Sequence, residues 1–346
     1  MSVNIADDPR IDPRLRQFFG AVGGIPQGQD VADRDELLAR SNSEAALATE
    51  ATIDASISAM MDNDHVAPSA GLRTTSYQLT SAPDGNVLNL KLVRPDNDEV
   101  LPCIYYIHGG GMSYWSCYNG LYSAWGRIMA AQNIAIAMID FRNCVRPSSV
   151  PEIAPFPAGL NDCVSGLKWV SEQAGMLGID QDKITIAGDS GGGNLSIATV
   201  MTLNREGSSG LVKGLYALCP YIAGAWPDES LPSATENNGI AINLHGNNHR
   251  IGYGIAAFED RNPLAWPLFS TVEDLKDFPP TMISLNEADP LRDEGLAFYR
   301  RLLQAGVKAQ CRQLMGTTHA TEIYPIACPD VSRHTANDMA FFARNV

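Results

Sequence analysis

The chain lacks a basic excess: its 346 residues carry 25 Lys plus Arg against 39 Asp plus Glu, a formal charge of −14. A field of that sign repels phosphate backbones and anionic lipid headgroups, so neither nucleic acid nor a stable membrane association is expected. The chain also lacks any run of about 18 apolar residues, the least that a membrane-spanning helix needs. Its opening, MSVNIADDPRIDPRLR, has neither the basic start nor the apolar core of a secretory signal, and a cytoplasmic location is the expectation. The seven cysteines (103, 117, 144, 163, 219, 311 and 328) are an odd number without CxxC or CxxH spacing, which argues against a disulfide framework and a zinc site. Reduced, partly buried thiols are expected. The 45% hydrophobic and 18% charged content is that of an ordinary globular chain.

Against these absences stands a strong alternation of patterns. Residues 7 to 69 carry charged and Ala-rich stretches at helical spacing, interrupted at Gly23-Gly24-Ile25-Pro26, and predict two or three amphipathic helices. Thr74 to Leu79 and Val87 to Val93 alternate around Ala82-Pro83-Asp84-Gly85-Asn86 and predict a hairpin of antiparallel edge strands. After Pro95, short continuously apolar runs mark buried parallel strands at 102–107, 135–140, 183–187, 214–218, 281–285 and 308–314, with helical spacing at 159–173, 192–204 and 294–305. This is the pattern of a doubly wound α/β sheet. The turn-rich stretch at 222–262 interrupts it and is read as an insertion over the C-terminal edge of the strands, where open α/β sheets bind ligands.

The sharpest chemical signal is Gly188-Asp189-Ser190-Gly191-Gly192, a G-x-S-x-G pentad between an apolar strand and a helix. Such a turn lifts a serine hydroxyl clear of the sheet. Upstream, His108-Gly109-Gly110-Gly111-Met112 also ends a strand, and side-chain-free residues there let backbone N–H groups line a hole for an oxyanion. Neither cluster is followed by the Lys-Ser or Lys-Thr of a phosphate loop. Among six histidines (65, 108, 245, 249, 319 and 334), His319 lies just past the last strand and is the best base; His108 is read as a brace for the glycine loop and the other four as surface groups. His245 and His249 are four apart but lack the acid of a zinc motif. Asp289, following the penultimate strand and held by Pro290, is the choice to orient the imidazole, with Glu287 the runner-up. Asp293 and Glu294 fall in the first turn of the next helix and read as caps. The order Ser190, Asp289, His319 is that of α/β-hydrolases.

Together HGGGM at 108–112, GDSGGGN at 188–194 and DPLRDEG at 289–295 resemble the hormone-sensitive-lipase group of α/β-hydrolase esterases, a likeness weakest between about residues 20 and 70 and after His319. The resemblance implies an α/β-hydrolase fold over 71–346, with cap helices from 1–70 and a cap segment from 222–262. It implies Ser190 as nucleophile, His319 as base, Asp289 as its orienter, and the N–H groups of Gly110, Gly111 and Gly191 as the oxyanion hole. Two departures stand out: Phe141-Arg142-Asn143-Cys144-Val145-Arg146 replaces the group's commoner Tyr-Arg-Leu-Ala-Pro-Glu, and Ala320 stands where many members have Gly.

The expected activity is therefore serine carboxylesterase chemistry on short-chain or small soluble esters, lactones among the candidates, with no metal or cofactor. Met112, Trp115, Tyr221 and Leu291 are candidates for an apolar pocket, with Tyr114, Trp226 and Ile323 near other loop ends. A monomer or homodimer is expected. The alternatives are a hydrolase-fold receptor that binds a small ligand without turnover, and a Ser-x-x-Lys hydrolase using Ser165 and Lys168, whose short match lies within a predicted helix.

Overall fold

A computed structural model describes residues 5–22 and 28–346; the expected interruption at residues 23–26 lies outside the described residues. Eight strands, β1 (Leu72–Thr80), β2 (Val87–Pro95), β3 (Leu101–Ile107), β4 (Ala135–Asp140), β5 (Ile179–Asp189), β6 (Gly214–Leu218), β7 (Thr281–Ala288) and β8 (Ala309–Thr318), form one sheet in the order β1-β2-β4-β3-β5-β6-β7-β8. From β4 to β8 all neighbours are parallel, whereas β1–β2 and β2–β4 are antiparallel.

The hairpin forms as expected, with Ser81 N–H donating to Asn86 O at 2.8 Å across its turn. Of its two strands only β1 lies at an edge of the sheet, however, because β2 also pairs with β4. The polar positions of β2 hide this: Lys91 is buried and donates to Ser123 Oγ at 2.6 Å.

The helices are α1 (Pro13–Val22), α2 (Arg34–Ser41), α3 (Glu44–Met61), α4 (Gly120–Ala130), α5 (Ala158–Glu172), α6 (Ala174–Leu177), α7 (Gly191–Arg205), α8 (Ser233–Glu236), α9 (Asn248–Glu259), α10 (Arg292–Gln304) and α11 (Pro329–Asn345). Strand side chains alternate between the two faces. Cys103, Tyr105, Ile107, Ile184 and Ile186 join Leu160, Leu195 and Phe298 of α5, α7 and α10, while Ile104, Tyr106, Ala187 and Leu218 join Trp125 and Met339 of α4 and α11. The result is a three-layer α/β/α core. All seven cysteines are unpaired, and only Cys311 is not fully buried. Among the described residues no helix is long and apolar enough to cross a membrane.

Over the C-terminal ends of the strands, the N-terminal segment meets the 222–262 stretch. Val31 and Asn247 exchange hydrogen bonds of 2.9 and 2.7 Å, Asp30 accepts the Asn247 amide at 2.9 Å, and Ile240 packs with Ile11 and Leu15. The stretch that reads as turn-rich thus also contains α8 and α9. Helix α3 runs instead along α4, where Asn119 Nδ2 donates to Asp54 at 3.0 Å.

Candidate active site

The parallel strands end at one level, so their following loops converge. Register pairs Ile107 with Gly188 and Asp189 with Leu218. Ser190, directly after β5, has φ 53° and ψ −117°, a left-handed backbone that a non-glycine residue adopts only where its surroundings hold it. Three interactions hold it: Ser190 N–H donates to Leu218 O at 2.9 Å, while its own carbonyl accepts from Tyr221 N at 3.1 Å and Asn194 N at 3.1 Å. Helix α7 begins at the next residue, so the Gly191 amide is one of its unbonded N-terminal donors.

The glycine loop lies against this turn. A Cβ on Gly191 would stand 2.7 Å from Met112 N and 2.8 Å from Gly111 N, so only glycine permits the approach. Gly110 and Gly111 have φ of 100° and 60°, and neither amide has a protein acceptor among the described residues. The loop's back is pinned by residues 140–146. Phe141 stacks on His108 at 4.4 Å, Asn143 Nδ2 donates to Trp115 O at 2.8 Å, and the amides of Cys144 and Arg146 donate to Met112 O at 2.8 Å and Ser113 O at 3.0 Å. His108 braces the loop as expected, with Nε2 3.6 Å from Asp140 and Nδ1 2.9 Å from Gly109 O. The departure at 141–146 is therefore the backing of the glycine loop.

His319 follows β8, and its Nδ1 lies 2.9 Å from Asp289 Oδ2; both side chains are buried. Asp289 Oδ1 accepts from Leu291 N at 2.8 Å, and the Asp289 carbonyl accepts from Asn237 Nδ2 at 3.1 Å. Burial disfavours a charged imidazole, but the Asp289 charge and hydrogen bond, with Asp189 and Glu322 further off, outweigh it and raise the His319 pKa above its ordinary value. Cys219 Sγ stands within 4.8 Å of the facing His319 and Asp289 atoms. No hydrogen bond joins Ser190 Oγ to His319 in the resting chain, and such contacts often tighten only when substrate binds. Ala320 takes a left-handed φ of 54°, the conformation that favours glycine at this position.

A family model described as the alpha/beta hydrolase fold matches residues 104–323, which hold every one of these groups. The chain belongs to the α/β-hydrolase family. The carboxylesterase NlhH of Mycobacterium tuberculosis is 31% identical to this hydrolase over 247 residues, 70% of this chain and 74% of that protein. Among solved structures, esterase Est22 is 56% identical with a TM-score of 0.96, covering 99% of this chain and 100% of that one. Brefeldin A esterase, described as a bacterial homologue of human hormone-sensitive lipase, is 32% identical with a TM-score of 0.85, covering 99% and 95%. The resemblance read from the motifs is thus borne out, and this α/β-hydrolase is a carboxylic ester hydrolase.

The hydrolase places the remaining sequence candidates unevenly. Met112 is buried in the glycine loop, and Trp115 is half-buried with a ring 6.1 Å from Tyr122. Tyr221 adjoins the Ser190 turn and stacks on Trp226 at 4.7 Å. Leu291 is wholly buried and contributes its amide to Asp289. Glu287 accepts the Gly316 amide at 2.7 Å, away from the imidazole. Ser165 is buried and donates to Ala82 O at 2.7 Å, while Lys168 pairs with Glu206 on the surface, so the two do not act together.

Two readings need correction. His249 is half-buried rather than a free surface group: its ring stands edge-on to Tyr221 at 5.6 Å and Trp226 at 5.9 Å, and loss of solvent pushes its pKa down to about 4. Glu294 does not cap its helix. It is buried and accepts from Ile222 N at 2.6 Å, Ala223 N at 3.2 Å and Trp226 Nε1 at 2.7 Å, fixing the root of the 222–262 segment. Burial pushes its pKa up to about 8 even against those three donors. Asp189, Tyr122 and Asn237 were not given roles from the sequence, because the Tyr122–Asp189 and Asn237–Asp289 bonds join residues more than 50 apart.

Proposed function

We propose that this hydrolase cleaves short-chain or small soluble carboxylic esters by acyl transfer to Ser190, with His319 as base, Asp289 as its orienter, and the amides of Gly110, Gly111 and Gly191 as oxyanion donors. The observation that carries the reading is the buried 2.9 Å pair of His319 and Asp289, beside a serine turn packed on a glycine loop whose Gly110 and Gly111 amides have no protein acceptor among the described residues. His319 Nε2 takes the hydroxyl proton as Ser190 Oγ attacks the ester carbon, and the carbonyl oxygen becomes an anion facing the amides. Collapse of the intermediate expels the alcohol, which takes the proton from His319. Water, deprotonated by the same imidazole, then attacks the acyl-serine, and the acid leaves as the imidazolium returns its proton to Ser190 Oγ.

Helices α1 and α2 and the 222–262 segment act as a cap in this reading, supported by the Val31–Asn247 and Ile11–Ile240 contacts between them, whereas α3 lies along α4. A cap over the strand ends favours small esters over packed lipid, and a lactone presents the same bond within a ring. Met112, Trp115 and Tyr221 are proposed to line the approach. Est22 has been solved with p-nitrophenol, the alcohol released from p-nitrophenyl esters. Initial rates on p-nitrophenyl esters from acetate to palmitate, measured for wild type and Ser190→Ala, test the proposal. A Ser190-dependent rate that falls with chain length is expected. A folded wild type without turnover on any ester would favour a ligand-binding role.

A further inference from the structure

The residue between glycine and serine in the pentad is not a passenger. Asp189 is buried, and its carboxylate accepts from two phenols: Tyr106 at 2.7 Å on Oδ1 and Tyr122 at 3.0 Å on Oδ2. Tyr122 in turn accepts the Gly109 amide at 2.7 Å. One unbroken chain of hydrogen bonds therefore runs from the residue before Ser190, through α4, to the residue before Gly110. The contact is close as well as polar. A Cβ on Gly109 would stand 2.9 Å from the Tyr122 hydroxyl and 3.0 Å from the Asp189 carbonyl, and would fall on the Asp189 carboxylate.

The other braces of the glycine loop come from residues 140–146 and hold its back. They fix the loop to the sheet but not to the serine turn. Tyr122 alone among these partners bonds both the loop and the residue adjoining Ser190. Its hydroxyl has one proton, which goes to Asp189, leaving its lone pairs for Gly109; the direction of each bond is set by the partner at the other end. With the Gly109 amide so engaged, the next two amides are left without acceptors on the site side.

We propose that Asp189 and Tyr122 are positioning residues that set the distance between the glycine loop and the Ser190 turn, so that Gly110, Gly111 and Gly191 present their amides to one oxygen. The proposal rests on the oxyanion role given above to those three glycines. Its consequence is felt in the transition state, where the oxygen is charged, and hardly in substrate binding.

Tyr106 supplies the comparison the test needs, because it bonds the same carboxylate but not the loop. Tyr122→Phe and Tyr106→Phe each remove one buried hydroxyl and keep the ring. Thermal unfolding, kcat and KM on p-nitrophenyl butyrate, and inhibition by a trifluoromethyl ketone are measured for both. The two variants are expected to lose similar thermal stability. Only Tyr122→Phe should lose kcat, by about 10- to 100-fold as expected for misplaced rather than deleted donors, with KM within about twofold and ketone affinity falling in parallel. A Tyr122→Phe enzyme with kcat within about twofold of wild type would overturn the proposal. So would an equal loss of kcat in Tyr106→Phe, which would make the network a matter of stability alone. Undiminished activity in Ser190→Ala would strike the mechanism beneath it, a failure visible before either tyrosine is changed.

Discussion

Asp289 and His319 meet through a single 2.9 Å hydrogen bond, and the other carboxylate oxygen of Asp289 is already committed to the Leu291 amide at 2.8 Å. That commitment fixes what an amide would do in its place. In Asp289→Asn the carbonyl oxygen stays on the Leu291 N–H and the NH2 turns to Nδ1, forcing the imidazole proton onto Nε2. The base can then no longer take the serine proton. A fall in kcat of about 10⁴-fold is expected, with KM and thermal unfolding little changed, by steady-state kinetics beside a melting curve.

The same pair sets the acid limb of the pH profile. Burial works against a charged imidazole, yet the Asp289 charge and hydrogen bond leave the His319 pKa above the ordinary 6.5. The neutral ring is the active form, so kcat/KM should rise with pH through an apparent pKa above 6.5. A profile flat from pH 5 to 8 would count against a histidine base.

Gly191 is where the serine turn and the glycine loop touch. In Gly191→Ala the new methyl would press on Met112 N and Gly111 N from 2.7 and 2.8 Å, displacing amides from the oxyanion. A loss of about 100-fold or more in kcat is expected in a protein with unchanged circular dichroism.

Glu294 answers to stability rather than to chemistry. Glu294→Gln keeps an oxygen for Ile222 and Ala223 but sets an NH2 against the Trp226 indole N–H, at a cost of about 1–3 kcal/mol. Denaturant unfolding followed by tryptophan fluorescence reads both effects. Because the folded carboxyl titrates near 8 and the free one near 4.5, the folded state holds the extra proton between those values. Glu294 should make wild-type stability fall as pH rises through that window, a slope that Glu294→Gln loses.

Much of this was legible beforehand because parallel strands buried on both faces are short apolar runs; β4 and β6 occupy the residues their sequences predict. Helices α4 and α11 carry weaker signals. Nearly every residue of α4 is buried, leaving no polar face to reveal a period, and the buried stripe of α11 is largely Ser332, Thr335, Ala336, Ala340 and Ala343. The geometry of Ser190, Asp289 and His319 follows strand ends, which the sequence marks. Glu294, His249 and Asp189 could not be read in the same way, since what surrounds each is set by tertiary contacts: the loop at 222–226, the rings of Tyr221 and Trp226, and the phenols of Tyr106 and Tyr122.

The most direct test of the central claim is titration with an irreversible phosphonate, with the modified residue located by peptide mass mapping. One equivalent bound at Ser190, with activity lost in proportion, is the predicted result. Complete loss of activity with the label on another residue, or an active enzyme whose Ser190 stays unmodified, would contradict it.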